Sequence, residues 1–202
     1  MNLSKNAFSF FVLPLFLLAS FSSASAQSIT VEQLEPSYEV ALHMVIGSNE
    51  SGPGVSLPAS LSSVSRRLKG NFSFSNYRLA NTFIGRVSNT GTIEYKSVSN
   101  ILGQDSGGEA QTFLEWSLGS FRVVPNGFQA RSFRFGARVP VKVQSSKDSA
   151  GVVSSVVNYE AIGLNMNMIG LPANTPTLVG TISLPNTAGT IFLVATIRVA
   201  EM

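Results

Sequence analysis

The chain of 202 residues carries 12% charged side chains, a formal charge of +3, one histidine and no cysteine. This composition describes a folded chain of one globular domain or two small ones. It excludes disulfide frameworks, thiolate metal sites and cysteine nucleophiles, and one imidazole with eleven carboxylates, two of them aspartate, leaves few groups for catalysis.

Residues 1–26 read as a signal peptide. Lys5 gives the positive start, Phe8 to Ala19 is a nearly unbroken apolar run, and Ala24-Ser25-Ala26 supplies the small residues of a cleavage site. The run spans 12 residues with Pro14 inside it, short of the roughly 20 that a bilayer-crossing helix needs. Export to a periplasm or the extracellular space is therefore expected, with no transmembrane segment after cleavage. The 176 residues that follow are enough to bury a core without disulfides, and loss of Lys5 lowers the charge to +2, too little to imply a nucleic-acid partner.

Tyr38, Val40, Leu42, Met44 and Ile46 fall on every second position, the spacing of a strand with one buried face. The turn formers from Gly47 to Gly54 predict an exposed loop. Pro58 suits the first turn of a helix in which Leu61, Val64 and Leu68 recur at helical spacing. Arg66, Arg67 and Lys69 face outward near the negative end of its dipole, and Gly70 can end it. Tyr77, Leu79, Phe83 and Val87 share one parity of a second strand, Asn89-Thr90-Gly91 turns the chain, and Ile93 to Val98 is expected to return as the hairpin partner. Residues 30–100 thus predict a β-α-β-β module.

Residues 101–110 read as a Gly/Ser-rich linker, and 111–202 as an antiparallel β module. Alternation marks Leu114, Trp116 and Leu118, then Phe133 to Val143 on odd positions, then Ile162, Leu164, Met166 and Met168. Thr177 to Leu184 and Thr190 to Val199 are β-branched runs joined by Pro185 to Gly189, a final hairpin. The expected fold class is α+β, mostly β: the N-terminal β-α-β-β module followed by an antiparallel sandwich or curved sheet. The pattern leaves open whether the two halves share one core.

Few segments carry chemistry. Asp105-Ser106-Gly107-Gly108 resembles the nucleophile loop of chymotrypsin-like serine proteases over four residues. Such a site needs a histidine base and a separate buried carboxylate. His43, the sole histidine, sits within a strand, and Asp105 belongs to the loop itself, so the segment reads as a linker. His43 shares its face with Glu39, Ala41 and Val45 and reads as a partly exposed sheet histidine, with no second ligand to hold a metal. Asn49-Glu50-Ser51 and Asn71-Phe72-Ser73 match the glycosylation acceptor pattern, which matters only in a eukaryotic source. No cofactor motif, metal site or catalytic set is expected.

Charge segregation is the clearest signal. Arg122, Arg131, Arg134, Arg138, Lys142 and Lys147 occur in 26 residues with no Asp or Glu among them. Strand alternation sets Arg134, Arg138 and Lys142 in a row opposite the apolar residues, about 13 Å apart for each four residues of strand. Arg131, Arg134, Arg138 and Lys142 are the candidate anion- or partner-binding residues. Such a row tracks an anionic polymer, a lipid surface or an acidic partner, and it equally protects an exposed sheet edge from pairing.

The order from Tyr38-Glu39-Val40 through Leu61, Val64 and Leu68 to Phe74-Ser75-Asn76-Tyr77-Arg78-Leu79 resembles a pattern in uncharacterised exported bacterial proteins. Their small β-α-β-β unit is similar in outline to the periplasmic ring-building modules of secretins, the outer-membrane channels of secretion and pilus systems. Leu178-Val179-Gly180-Thr181 and Ile191-Phe192-Leu193-Val194 resemble the strand pair that ends such chains. The resemblance implies a non-enzymatic envelope protein acting by contact with a protein partner or by self-assembly. The long gate and barrel region of a secretin has no counterpart, so pore formation is not implied. Two other functions are open: a secreted module binding an anionic glycan or lipid through the basic strand face, and an extracellular polymer hydrolase using carboxylates such as Glu94, Glu115 or Glu160.

Overall fold

The computed structural model describes residues 36–49, 57–102, 111–147, 153–185 and 189–200, with only the backbone described for 142–147 and 153–156. The expected leader at 1–26 and the Asp105-Ser106-Gly107-Gly108 loop lie outside the described residues. In chain order the elements are β1 (Ser37–Ser48), a 3-10 turn (Ala59–Leu61), α1 (Ser62–Asn71), β2 (Asn76–Ser88), β3 (Ile93–Ser99), β4 (Thr112–Val124), β5 (Gly127–Lys147), β6 (Val153–Leu171), β7 (Thr177–Ser183) and β8 (Thr190–Val199). The described residues are mostly strand, with one short helix, in two antiparallel sheets, the α+β, mostly β class that alternation predicts.

Sheet 1 has the strand order β2-β1-β8-β7 and sheet 2 the order β3-β4-β5-β6. Neighbours in sequence are therefore neighbours in space, and β8 returns to pair with β1 from Tyr38↔Val199 to Gly47↔Thr190. The chain is an up-and-down meander folded into two facing layers. The even face of β1 (Tyr38, Val40, Leu42, Met44, Ile46) packs with Ile191, Leu193 and Ile197 of β8 against Leu114, Trp116, Phe133 and Phe135 of sheet 2 in one apolar cluster. Residues on both sides of 101–110 thus share one core, and Leu34–Met202 forms one compact unit.

The expected order β-α-β-β occurs in 30–100, but β3 pairs with β4 and not with β2. The turn after β2 is captured by β4: Thr90 N–H donates to the Phe121 carbonyl at 2.7 Å, and Phe121 N–H donates to the Gly91 carbonyl at 3.0 Å. The chain is thereby directed onto the other sheet. At that corner a Cβ on Gly85 would strike Ile93. At the opposite corner a Cβ on Gly180 of β7 would lie 2.6 Å from Leu164 Cδ2 of β6. Both corners close on apolar side chains in place of backbone ladders, and each places a glycine under the side chain that crosses.

Several departures from simple alternation shape the sheets, among them register shifts at Leu178/Gly180 in β7 and Val143/Ser146 in β5. In β2 the register slips by one residue, from Met44↔Asn81 to Val45↔Leu79. A one-residue bulge reverses which side faces the core. Tyr77 and Leu79 accordingly point to the helix side and Phe83 and Val87 to the sandwich core, so these four do not share one face. In sheet 2, β4, β5 and β6 each insert one outward residue at the same level. The buried positions step by three there: Leu118 to Phe121, Ala130 to Phe133, and half-buried Met166 to Ile169. Pairing stays in register above and below, at Gly119↔Ser132↔Asn167 and Phe121↔Ala130↔Ile169. Ser120 and Met168 take positive φ of 51° and 58°. This crease turns Met168 out to solvent, against the expected alternation, and folds Phe121 and Phe128 over the end of the core, where their ring centroids lie 5.4 and 5.2 Å from that of Tyr38.

The helix covers the outer face of sheet 1. Leu61, Val64 and Leu68 are buried against Val45, Phe192 and Val194, while Arg66, Arg67 and Lys69 stay in water. Its end is fixed by Tyr77, whose hydroxyl reaches the carbonyl oxygens of Leu68 at 3.0 Å and Phe72 at 3.2 Å. Burial pushes the Tyr77 phenol above its ordinary pKa. Covered on both sides, β8 is continuously buried from Ile191 to Ala195.

Candidate functional site

The outer face of sheet 2 carries no helix among the described residues. Cross-strand register arranges it in rows: Glu94, Ser117, Arg134 and Asn165; then Lys96, Glu115, Gly136 and Gly163; then Val98, Phe113, Arg138 and Ala161. All of these except Glu94 and Ser117 line an open trough of ≈ 820 Å³ whose walls come from β3, β4, β5 and β6. A smaller recess of ≈ 190 Å³ adjoins it between Glu94, Lys96, Glu115, Ser117 and Arg134.

Glycine makes the floor. Gly136 and Gly163 face each other across β5 and β6. A Cβ on Gly163 would run into the Phe135 carbonyl oxygen, and one on Gly136 would lie 3.1 Å from Glu115 Oε1. The absence of side chains at this level leaves the space between Arg134 and Arg138, which stand four residues apart on β5, a span of about 13 Å. Both arginines are exposed. Arg134 Nη2 lies 3.5 Å from Glu115 Oε1, with the two side chains 66% and 46% exposed. A pair so open to water contributes ~0–1 kcal/mol and yields easily to a competing anion. Arg138 has no carboxylate partner among the described residues.

An aromatic pair marks the Arg138 end. Phe113 is 47% and Tyr159 45% exposed, and their ring centroids lie 5.7 Å apart at 58°. Phe113 is the register partner of Arg138, and half-exposed Val98 is the register partner of Phe113. Large apolar groups gathered in the open beside charge mark contact surfaces more often than isolated ones do.

The candidate residues divide accordingly. Arg134 and Arg138 line the trough, whereas Arg131 is exposed at the crease, opposite Ser120 and Met168, and is not part of its lining. Lys142 continues the row in register with Val157, its side chain being outside the described residues. Arg122 is engaged by Gln129, with its Nε 2.8 Å from Oε1. Glu94 and Glu115 meet at the smaller recess, while Glu160 lies on β6 opposite Val139 and lines neither recess. Trp116 is 3% exposed, a core residue.

His43 lies on the outer face of sheet 1, its Nδ1 3.1 Å from Thr82 Oγ1, and burial lowers its pKa below 6.5. Glu39, on the same face, is held by Arg198, whose Nη2 lies 2.7 Å from Oε1. No group of three metal-ligating side chains occurs among the described residues, and none of their helices is long and apolar enough to cross a membrane.

The sequence pattern overlooks Phe113, Tyr159, Lys96 and the two floor glycines. Phe113 was open to inference, because the inward series Leu114, Trp116, Leu118 places it on the other face. Nothing in the local sequence sets Tyr159 beside it, since their approach depends on the register of β4 on β5 and of β5 on β6. No model of a known protein family matches the chain, and no curated protein matches it.

Proposed function

We propose that the chain is an exported, non-enzymatic module that binds an elongated anionic ligand in the trough on the outer face of sheet 2. The observation that carries this reading is the placement of Arg134 and Arg138 on either side of the Gly136/Gly163 floor. Two exposed arginines whose backbone positions lie about 13 Å apart along one strand suit a ligand whose anionic groups repeat along its length. Arg138 is uncompensated among the described residues, and Arg134 has only a solvent-screened partner to give up. The leader at 1–26 supports export.

Binding is favoured over hydrolysis by the setting of the carboxylates. Acid-base cleavage of a glycosidic bond needs one carboxyl group kept protonated, which burial achieves. Glu94 is exposed, and Glu115 is half-exposed beside Arg134. Neither side chain is buried.

Retention of the mature chain on an anionic matrix tests the reading. The wild type is expected to elute with rising salt, because exposed charges are screened within a Debye length of about 10 Å at 0.1 M. Arg134→Glu with Arg138→Glu is expected to weaken retention at least about tenfold, each reversal turning an attraction of about 1 kcal/mol at 4 Å in water into a repulsion. Unchanged retention of the double variant overturns the proposal.

A further inference from the structure

Resting on that reading, the geometry points to an acidic polysaccharide as the ligand, with a sugar ring on the Phe113/Tyr159 pair and its acidic group on Arg138. Three observations select this class. First, the charged and aromatic groups are adjacent: Phe113 and Arg138 are register partners, and Tyr159 stands 5.7 Å from Phe113. A ligand unit that is both a flat-faced ring and an anion satisfies both contacts at once. An acidic sugar is such a unit.

Second, the site is concave. A trough of ≈ 820 Å³ sunk between β3 and β6 admits a chain, but a planar membrane surface would meet its rim and leave the glycine floor untouched. Third, the trough is built from strand faces. The backbone groups of the central strands β4 and β5 are consumed by their ladders with β3, β5 and β6, so an extended peptide lying over them would find no edge to hydrogen-bond, the free edges of the sheet belonging to β3 and β6. A polysaccharide needs no backbone partner. Its hydroxyls meet Glu115, Asn165 and Lys96, and the floor glycines let its rings approach the sheet.

Arg138 then serves the acidic group of the ring stacked at Phe113, and Arg134 serves an acidic group further along the chain. The Arg134–Glu115 pair opens to accept it.

The test is titration of the mature chain with polygalacturonate, heparin, neutral dextran, polyglutamate and anionic phospholipid vesicles. Wild type, Phe113→Ala, Tyr159→Ala and the Arg134→Glu/Arg138→Glu double variant are compared. All four positions are exposed, and unchanged thermal melting certifies each variant as folded. Tighter binding of polygalacturonate or heparin than of dextran or polyglutamate is expected, with a roughly tenfold loss in Phe113→Ala or Tyr159→Ala. The preferred polymer tells carboxylate from sulfate as the acidic group. Equal binding of polyglutamate or vesicles, or full affinity in both aromatic variants while the arginine variant loses it, overturns the polysaccharide and leaves the anionic trough standing. Binding of every probe unaffected by the arginine reversal overturns the trough reading itself. Equal affinity for dextran removes the acidic group from the ligand.

Discussion

Gly47 sits near the end of β1 against Phe74 and Phe192 on the helix side of sheet 1, and Gly47→Ala measures that packing directly. The added methyl would lie 2.8 Å from Phe192 Cε2, 2.9 Å from Phe74 Cδ2 and 3.1 Å from Phe74 Cγ. Ordinary contact begins at 3.4 Å, so both rings must retreat by about half an ångström. Phe192, fully buried, has little room, since it also touches Phe72 and Tyr77, with ring centroids 4.8 and 5.9 Å away. Overpacking of this kind costs about 1–3 kcal/mol, and the reduced freedom of the unfolded chain returns ~0.4–1 kcal/mol. The net expectation is about 1–2 kcal/mol of lost stability, which for a domain of this size lowers Tm by roughly 3–6 °C. Thermal unfolding followed by circular dichroism reads the shift. Gly170→Ala is the control, because a Cβ there meets nothing within 4 Å. Its Tm is expected to hold or rise slightly. A cycle with Phe74→Ala isolates the contact: with one ring gone, the cost of Gly47→Ala should fall by at least about 0.5 kcal/mol. Equal melting of Gly47→Ala and Gly170→Ala, or strict additivity with Phe74→Ala, refutes the packing argument.

Phe121→Ala should cost about 3–5 kcal/mol in chemical denaturation, because it empties the aromatic cap formed with Tyr38 and Phe128 below the crease. At Met168, whose φ is 58°, substitution by β-branched Val is expected to destabilise by about 1–2 kcal/mol and substitution by Gly to leave Tm unchanged or raised. His43 is protonated less readily when folded than when unfolded, since burial lowers its pKa from 6.5. Stability is therefore lost as pH falls from 6.5 towards the folded pKa, and His43→Gln should flatten that part of the Tm–pH profile relative to wild type. Glu39→Gln should change stability by less than about 1 kcal/mol, because its partner Arg198 is 62% exposed.

Strands with a strict period of two were readable because one face alone is buried. β1 and the Phe133–Val139 stretch of β5 follow the expected parity, and the Leu61, Val64, Leu68 stripe of α1 is buried as its spacing predicts. What escaped was every place where the period breaks. The bulge in β2 and the crease through β4, β5 and β6 each add one residue per strand, and an added residue has no composition signature when it is Ala80, Ser120, Arg131 or Met168. Pairing escaped for a different reason. Asn89-Thr90-Gly91 is a good hairpin turn in isolation, and only the hydrogen bonds it makes to Phe121, some thirty residues on, send β3 to the other sheet. At the site, Arg134 and Arg138 were visible as a row, whereas the recess between them depends on two glycines from different strands coming into register.

The two sheets differ in how their outer faces are finished, and that difference bears on where a ligand can sit. Sheet 1 spends the segment between β1 and β2 on a helix, so Val45, Phe192 and Val194 are covered and β8 is apolar on both sides. Sheet 2 has no such cover among the described residues, and an antiparallel sheet with one wet face is expected to turn polar residues outward. Arg134, Glu115, Lys96 and Asn165 obey that rule. Phe113, Tyr159 and Val98 break it on the same face, at the same end, beside the one trough arginine that has no carboxylate partner among the described residues. Solvation does not account for that grouping, and stability does not benefit from exposing it. A ligand that covers the apolar group while pairing the arginine resolves both departures at once, which is why the proposed binding role falls on this face and not on the helix-covered one.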